Sequence, residues 1–393
     1  MAVTKKTSLL SRLSCAALAL PGIISVAEAG RTDETYHTDF QYGYYSESED
    51  RMQAHVYEAA LSAPIAKSMS VQIGLVRDVL SGASPMFNVP DFDDKSDKPK
   101  PKQVLSGASI REKRDALSLM FNHYWDDVSV GIGGGISSEH DYLSRYLNTN
   151  LNWDFNKKLT TLSAGFSLAF DEIEPTGLSY QRNKLSQQYS IGITQVIDTA
   201  SLINSNMTFS YDTGFLSDPY KSVFFRFSGI ADDTRPKERF KWAWLNRYVR
   251  NFKNLNNAAL HIDYRFYADS WDVQAHTFEV AWHQPVIDDW QIRTSMRFYT
   301  QSSAEFYQPY FDSKDDLNYY SSDYRLASFG VLSGGVKLSK EIKSLFSSTS
   351  SLKFDAGIEY FDRKASYSWS NDNNGNFDDF NYYLITASFK LRF

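Results

Sequence analysis

The stretch LKFDAGIEYF, residues 352–361, alternates between apolar side chains and charged or small ones as far as Tyr360. The apolar set consists of Leu352, Phe354, Ala356, Ile358 and Tyr360. The other set consists of Lys353, Asp355, Gly357 and Glu359. Side chains two residues apart lie on the same face of a β-strand. The stretch therefore predicts a strand with one apolar face and one charged face.

The same period of two recurs along the chain. It is present in VSVGIGGGIS (128–137), TTLSAGFSLAF (160–170) and ALHIDYRFYA (259–268). Strands of soluble proteins are usually about five or six residues long, whereas these run to about ten. Long amphipathic strands are typical of outer-membrane barrels, in which closure of the sheet pairs every backbone donor. We therefore predict an all-β fold, a transmembrane antiparallel β-barrel.

Composition supports this class. Aromatic residues make up 15% of the chain and the net charge is −6. A mildly acidic chain has no electrostatic attraction for nucleic acid, so we expect no nucleic-acid partner. After the N-terminal segment, no apolar run approaches the ~20 residues that a membrane-spanning helix needs.

The N-terminal segment resembles a secretory signal peptide. Basic residues precede an apolar stretch that Pro21 interrupts, and the small residues Ala27 and Ala29 flank Glu28. This pattern predicts a signal peptide at 1–29, with cleavage after Ala29. Cys15, the only cysteine, would be removed with it. The barrel domain is then 30–393.

The final stretch YYLITASFKLRF, residues 382–393, alternates and stops on Phe393. It resembles the C-terminal signal that the barrel-insertion machinery recognises. We therefore expect that machinery, outer-membrane lipid and lipopolysaccharide as partners. The expected location is the outer membrane of a Gram-negative bacterium.

Sixteen strands are predicted, an even number as in bacterial single-chain barrels. Their ranges are 36–46, 51–62, 67–77, 112–123, 127–138, 142–153, 158–170, 186–196, 202–212, 241–251, 256–268, 273–283, 290–301, 324–338, 350–363 and 381–393. An error of one hairpin would give fourteen or eighteen. With the last strand running toward the periplasm, the connections predicted on that side are mostly short and the long ones lie outside.

One long extracellular loop, 78–111, carries the string LSGAS at both ends. We interpret the two copies as the feet of the loop, facing each other where small residues allow close approach. The feet residues are Ser81, Gly82, Ser84, Ser106, Gly107 and Ser109. A phosphate-binding loop would need a following helix and lysine, which the sequence does not indicate. The Pro-, Asp- and Lys-rich segment between the feet either is mobile or folds over the pore mouth.

Seven separated motifs resemble a family of exported Gram-negative proteins, domain-of-unknown-function family 3570. They are YYSESEDRM (44–52), SGASP (81–85), SGASIREKRD (106–115), SSEHDYLSR (137–145), DPYKSV (218–223), HQPV (283–286) and SSDYRLASFG (321–330). The resemblance implies an outer-membrane barrel. It also implies a gene neighbourhood with a flavin transferase, a lipoprotein and a thioredoxin-like protein, and so a redox context. The family lends no catalytic residues.

Alternation assigns one set of charged residues to the lumen. These residues are His261, Asp263, Arg265, Glu279, Arg293, Arg297, Lys353, Asp355 and Glu359. Other strands present mainly Ser and Gly inward. Because both signs occur, we expect no strong ion selectivity. An aqueous pore and a lumen plugged by a loop both remain open.

Three functions follow as hypotheses. The first is a porin-like channel for small solutes or ions, which fits the predicted barrel size. The second is an outer-membrane partner or export component of a periplasmic redox system, which rests on the resemblance. The third, a rim-sited enzyme, is less favoured, because Glu139-His140-Asp141 offers an acid–base pair without an adjacent nucleophile.

The last outer loop, NDNNGNFDDF, offers oxygen ligands at alternate positions. They are Asp372, Asn374, Asn376 and Asp378. Hard cations favour such loops, so calcium is a candidate here, although Asn/Asp/Gly runs also form plain turns. No other cofactor is expected.

Overall fold

The structure, a computed structural model, describes residues 35–49, 51–83, 85–97, 99–105, 110–347, 350–370 and 379–393, with the side chains of Ile110 and Arg111 excepted. The predicted signal peptide and the predicted calcium ligands lie outside these residues, as do four of the loop-feet residues (Ser84, Ser106, Gly107 and Ser109). No described helix has the length and apolar character needed to cross a membrane.

Strands dominate the described chain. In order they are β1 (His37–Glu47), β2 (Met52–Ala66), β3 (Met69–Gly82), β4 (Pro85–Pro90), β5 (Pro101–Leu105), β6 (Ile110–Tyr124), β7 (Val128–Ser138), β8 (Tyr142–Phe155), β9 (Thr160–Ile173), β10 (Arg182–Asp198), β11 (Ser201–Gly214), β12 (Ser222–Phe225), β13 (Gly229–Asp232), β14 (Glu238–Phe252), β15 (Ala258–Asp269), β16 (Gln274–Pro285), β17 (Trp290–Gln301), β18 (Phe329–Lys343), β19 (Ser351–Lys364) and β20 (Phe380–Arg392).

Sixteen of these strands close an antiparallel barrel, and β4, β5, β12 and β13 lie outside it. The first and last strands pair to close the ring, from His37 opposite Arg392 to Glu47 opposite Tyr382. Beyond this register, the backbones of Tyr36 and Phe393 exchange two hydrogen bonds and their rings stack 5.4 Å apart. The predicted fold class and strand number are confirmed.

The apolar set of each strand faces outward. Large apolar side chains are exposed all round the wall, among them Ile132, Leu147, Ile191, Met296 and Ile358. In a soluble protein such exposure would be unfavourable, but a barrel in lipid presents an apolar band. The charged set of the same strands therefore faces the lumen.

The two ends of the barrel differ in their connections. At one end, here the turn end, seven short segments join the strands, the longest of them 344–350. Aromatic side chains cluster there on the outside, including Trp125, Trp153, Phe155 and Trp290, as in the aromatic girdles of membrane barrels. The opposite loop end carries the long segments.

Two of these long segments contain hairpins that the alternation did not predict. Strand β4 pairs with β5, and β12 with β13. Both are short, and Pro85, Pro90 and Pro101 stand at strand ends where proline is tolerated.

The predicted strand 324–338 is wrong at its start. Residues Tyr324–Leu326 form a short 3-10 helix, with Asp323 accepting a hydrogen bond from the Arg325 backbone, and β18 begins only at Phe329. Leu326 and Ala327 look like strand residues because they are apolar. They are instead buried against Trp271 and Tyr307 in a small core above the barrel wall.

Candidate functional site

The predicted lumen residues lie on the face opposite the exposed apolar side chains. Asp263 binds Arg247 at 2.5 Å, and Glu279 binds both Arg293 at 2.7 Å and Arg297 at 2.6 Å. Each carboxylate is thus matched with one or two guanidinium groups on a neighbouring strand.

A second group of lumen residues lies nearer the turn end. Asp355 accepts hydrogen bonds from Ser339 at 2.5 Å and Ser388 at 3.1 Å, with the Lys337 and Lys353 ammonium groups at 3.7 and 3.8 Å.

The remaining predicted lumen residues occupy the same wall. Glu359 accepts a hydrogen bond from Ser333 at 2.8 Å. The His261 ring lies 4.4 Å from that of His283, and Arg265 stands opposite Thr277. The wall from β14 to β20 therefore carries mixed charge that is largely paired within itself.

The wall of small residues is less open than its sequence indicates. A Cβ atom at Gly131 would lie 2.5 Å from Asn122 Oδ1 and 2.6 Å from Asn150 Oδ1. At Gly192 it would meet the Asn206 side chain. Asparagine side chains from the neighbouring strands therefore cover these glycines. Side-chain amides, rather than bare backbone, line this wall.

Of the predicted loop feet, Ser81 and Gly82 lie in β3, which extends further than expected. Gly82 has φ +125°, and a Cβ atom there would lie 1.9 Å from the Arg51 carbonyl oxygen. Only glycine fits this contact without displacement. Gly82 lies opposite Ile110 and Pro85 opposite Leu105, so the two chain ends of the segment face each other.

Three segments at the loop end pack together, and we call their described parts the cap: 83–105, 215–237 and 302–328. Phe225 bridges to Phe311, and Thr234 to Tyr320. The β4–β5 hairpin joins them through the contact of Phe92 with the Phe224 ring at 6.4 Å. The Pro-rich segment is therefore folded against the rest of the cap.

The cap lies across the barrel mouth. Arg51 belongs to the β1–β2 connection and Lys221 to the β11–β14 connection, which are half a turn apart in the ring of sixteen strands. Both cations nevertheless reach the Tyr324 ring, at 5.9 and 5.5 Å from its centroid. The Tyr324 ring also packs against Phe380 of β20, so segment 215–237, which carries Lys221, reaches across the mouth to the opposite wall.

Around Tyr324, three acidic and three basic side chains form a charge cluster. Its members are Asp218, Lys221, Asp233, Arg235, Asp323 and Arg325. Arg235 binds Asp233 at 2.6 Å and Asp323 at 2.9 Å. Arg325 binds Asp218 at 2.7 Å and Asp323 at 2.5 Å. The cluster ties segment 215–237 to segment 302–328.

Most of the cluster is buried, and Arg235 and Asp323 are only 2% and 1% exposed. Burial raises the pKa of Asp323, but Arg325 and Arg235 outweigh it, so its pKa lies well below the usual range. Burial lowers the pKa of Lys221 to about 8, against the attraction of Asp323. Buried charges are tolerated when paired in this way, and losing one partner leaves an uncompensated charge.

A cavity of about 210 Å³ lies where segment 215–220 meets the loop-end halves of β8–β14. Its polar walls include Asp141, Lys184, Asp212, Arg239 and Lys241. Lys241 binds Asp212 at 2.6 Å, and Arg239 binds Asp269 at 2.5 Å. Such a cavity can hold water or a small polar solute.

The charge cluster was missed because its members are distant in sequence. The string Asp-x-Arg occurs at 233–235 and 323–325 in the cluster, but it also occurs at 263–265 in β15, so it does not mark the cluster. The motif DPYKSV supplies Asp218 and Lys221, and SSDYRLASFG supplies Asp323 and Arg325. The motif SSEHDYLSR also joins the cap, since Tyr220 donates a hydrogen bond to Asp141.

Comparison with solved structures finds outer-membrane barrels at low similarity. CdiB from Acinetobacter baumannii is 9% identical with a TM-score of 0.48, and the match covers 91% of this chain and 60% of that one. OccD3 (OpdP) of Pseudomonas aeruginosa is 8% identical with a TM-score of 0.45, covering 93% of both chains. OccAB1 of Acinetobacter baumannii is 8% identical with a TM-score of 0.43, covering 91% of this chain and 96% of that one.

No curated protein matches the sequence. A family model described as "Protein of unknown function (DUF3570)" matches residues 10–189 and 178–384. These ranges span nearly the whole barrel and include six of the seven motifs completely within either range. They also include the cap and its charge cluster. The chain therefore belongs to the DUF3570 family.

Proposed function

We propose that the protein is an outer-membrane channel for small polar solutes whose outer mouth is closed by the cap. The loop end faces outward and the turn end faces the periplasm. Opening requires the cap to move away from the barrel axis. The protein thus differs from an open porin in needing a trigger or a rare fluctuation before it conducts.

One observation carries this proposal: side chains from opposite walls meet at the Tyr324 ring. Loops that merely fringed the rim would not bring them together. The buried charge cluster also holds the cap closed. Separating segments 215–237 and 302–328 would break the Arg235–Asp323 and Arg325–Asp218 ion pairs at the same time. Elements of this kind tend to have two states rather than a graded range.

The charges that line the lumen favour a small polar or ionic solute as the molecule transported. Its mixed charges are largely paired with each other, for instance Arg247 with Asp263, which favours weak selectivity between anions and cations. Weak binding sites of both signs allow a solute to enter and to leave.

The proposal is tested by replacing residues 86–103, most of the β4–β5 hairpin, with a short Gly-Ser linker. Single-channel conductance of the intact and shortened chains is recorded in planar bilayers, after heat-modifiable migration has shown that both barrels are folded. We expect brief, infrequent openings from the intact chain and longer openings of larger conductance from the shortened one. Steady conductance of equal size from both chains would reject the closed mouth, and silence from both would reject the channel.

The redox-partner hypothesis and the rim-enzyme hypothesis stay predictions. The first rests on the family resemblance. For the second, the structure adds that Asp141 accepts a hydrogen bond from Tyr220. This contact accounts for attachment of the cap to the barrel more directly than it accounts for catalysis.

A further inference from the structure

Three carboxylates that are not members of the charge cluster converge at the loop end. Glu112 stands near the start of β6, and Glu139 and Asp141 lie in the β7–β8 connection. One oxygen atom of each lies within 4.8 Å of the others. Pairing of β6 with β7 brings Glu112 close to this connection, and the His140 backbone N–H donates to Glu112 at 3.4 Å.

Two of the three carboxylates are buried. Glu112 is 7% exposed and Asp141 is 6% exposed, while Glu139 is half-buried. Like charges close together in a buried place repel each other strongly and are poorly solvated. Such a group is stable when a cation joins it.

A second observation points to a ligand. Asp141 Oδ2 accepts the hydrogen bond from Tyr220. Its other oxygen, Oδ1, is buried and has no hydrogen-bond partner within the described residues. The large majority of buried polar side-chain atoms have a hydrogen-bond partner. Within the same described part of the chain, Asp78 Oδ1 and Asp233 Oδ1 share the lack of one, but each of these carboxylates is already paired with an arginine. At Asp141 the unpartnered oxygen belongs to a group of three carboxylates, which indicates a cation.

We propose that Glu112, Glu139 and Asp141 bind a hard divalent cation, with calcium as the best fit. The available donors are carboxylate oxygens, which hard cations prefer, and soft nitrogen or sulfur donors play no part in the set. Oxygens bound to one calcium ion at about 2.4 Å lie at most about 5 Å apart, as these do. Water would complete the coordination, as in other sites with few protein ligands.

The bound cation would join β6 to the β7–β8 connection and fix Asp141 where Tyr220 of the cap reaches it. Calcium would then hold the cap over the mouth. This consequence rests on the proposed channel function, whereas binding itself does not. Its ligands are other residues than Asp372, Asn374, Asn376 and Asp378, the calcium ligands that the sequence predicts, which lie outside the described residues.

Binding is tested on the full-length refolded barrel in detergent after treatment with EDTA. Calcium is titrated by calorimetry, and terbium by its luminescence on excitation of tyrosine, since the Tyr220 hydroxyl contacts a ligand. The variants are D141N and E112Q, which keep size and remove charge. E172Q is the matched control, because Glu172 lies at the same end and pairs with Arg145 in a solvent-accessible contact.

We expect one saturable site in the wild type and in E172Q, and at least a tenfold weaker affinity in D141N and E112Q. If D141N and E112Q fail to fold, E139Q at the half-buried position decides, and unchanged affinity there would overturn the proposal. Absence of binding in the wild type, equal binding in all variants, or binding of zinc but not of calcium would each overturn it too. Loss of the site with unaltered conductance would leave the channel proposal intact.

Discussion

At the scale of single residues, the structure tolerates least change where the backbone is closely packed or a charge is buried. Gly82 combines a positive φ with a carbonyl oxygen in the space that a side chain would fill. Lys221 is 4% exposed among charged neighbours and donates a hydrogen bond to the Pro85 carbonyl oxygen. Alternation alone predicts which face of the strands carries the lumen charges, but their individual partners needed the register between strands.

Gly82→Ala is expected to destabilise the protein by about 2–4 kcal/mol, because strain at positive φ adds to the clash with the Arg51 carbonyl. Gly177→Ala is the matched control. Gly177 also has a positive φ, +82°, but its Cβ position is open, so about 1 kcal/mol is expected there. Urea unfolding measures both. Equal losses would show that the Arg51 contact has no energetic weight.

Lys221→Met is expected to change how stability depends on pH. In the folded state the pKa of Lys221 is about 8, whereas in the unfolded chain it is about 10.4. Between these values the unfolded state binds more protons, so the free energy of unfolding of the wild type rises with pH. The gain relative to Lys221→Met is up to about 3 kcal/mol across this window. If the free energy of unfolding changed with pH in the same way for both proteins from pH 7 to 11, the lowered pKa of Lys221 would be contradicted.

At the scale of elements, the barrel strands were predictable and the cap was not. Period-two alternation is clear in β19 because one face of every barrel strand must be apolar, to contact lipid, along its whole membrane-spanning length. No such selection acts on β4, β5, β12 and β13, which are short and packed in a mixed environment. The same reason explains the error at 324–328, where apolar Leu326 serves the cap core rather than the lipid face.

Ile358→Arg is expected to cost about 2–4 kcal/mol, because Ile358 lies near the middle of β19 on the exposed apolar face and arginine is unfavourable at the bilayer centre. Ile342→Arg, at the turn end of β18, should cost about 0–1 kcal/mol since that end lies near the interface. Unfolding in lipid vesicles measures the difference. Equal costs at the two positions would argue that the wall does not face a bilayer.

At the scale of the whole molecule, a barrel of channel size is combined with a cap that spans its mouth. Strand number and relative direction followed from the sequence, because the alternation recurs in all sixteen strands and short turns recur at every second connection. Closure of the mouth did not, since it depends on contacts between residues such as Asp218 and Arg325 that are far apart in the chain.

Arg325 offers the most direct test of the closed mouth. Arg325→Met leaves Asp218 without this cation and Asp323 with one fewer. Breaking such a buried pair costs about 3–5 kcal/mol, and we expect the loss to fall on the closed cap because the strands are untouched. Arg145→Met is the control, since it removes a solvent-accessible pair with Glu172 on the outer wall.

The measurement is single-channel open probability in a planar bilayer for the wild type, Arg325→Met and Arg145→Met, with folding of each barrel verified by heat-modifiable migration. A closed cap held by the charge cluster predicts a rise of at least tenfold in open probability for Arg325→Met and no change for Arg145→Met. The same open probability in all three proteins would contradict the cap as the gate.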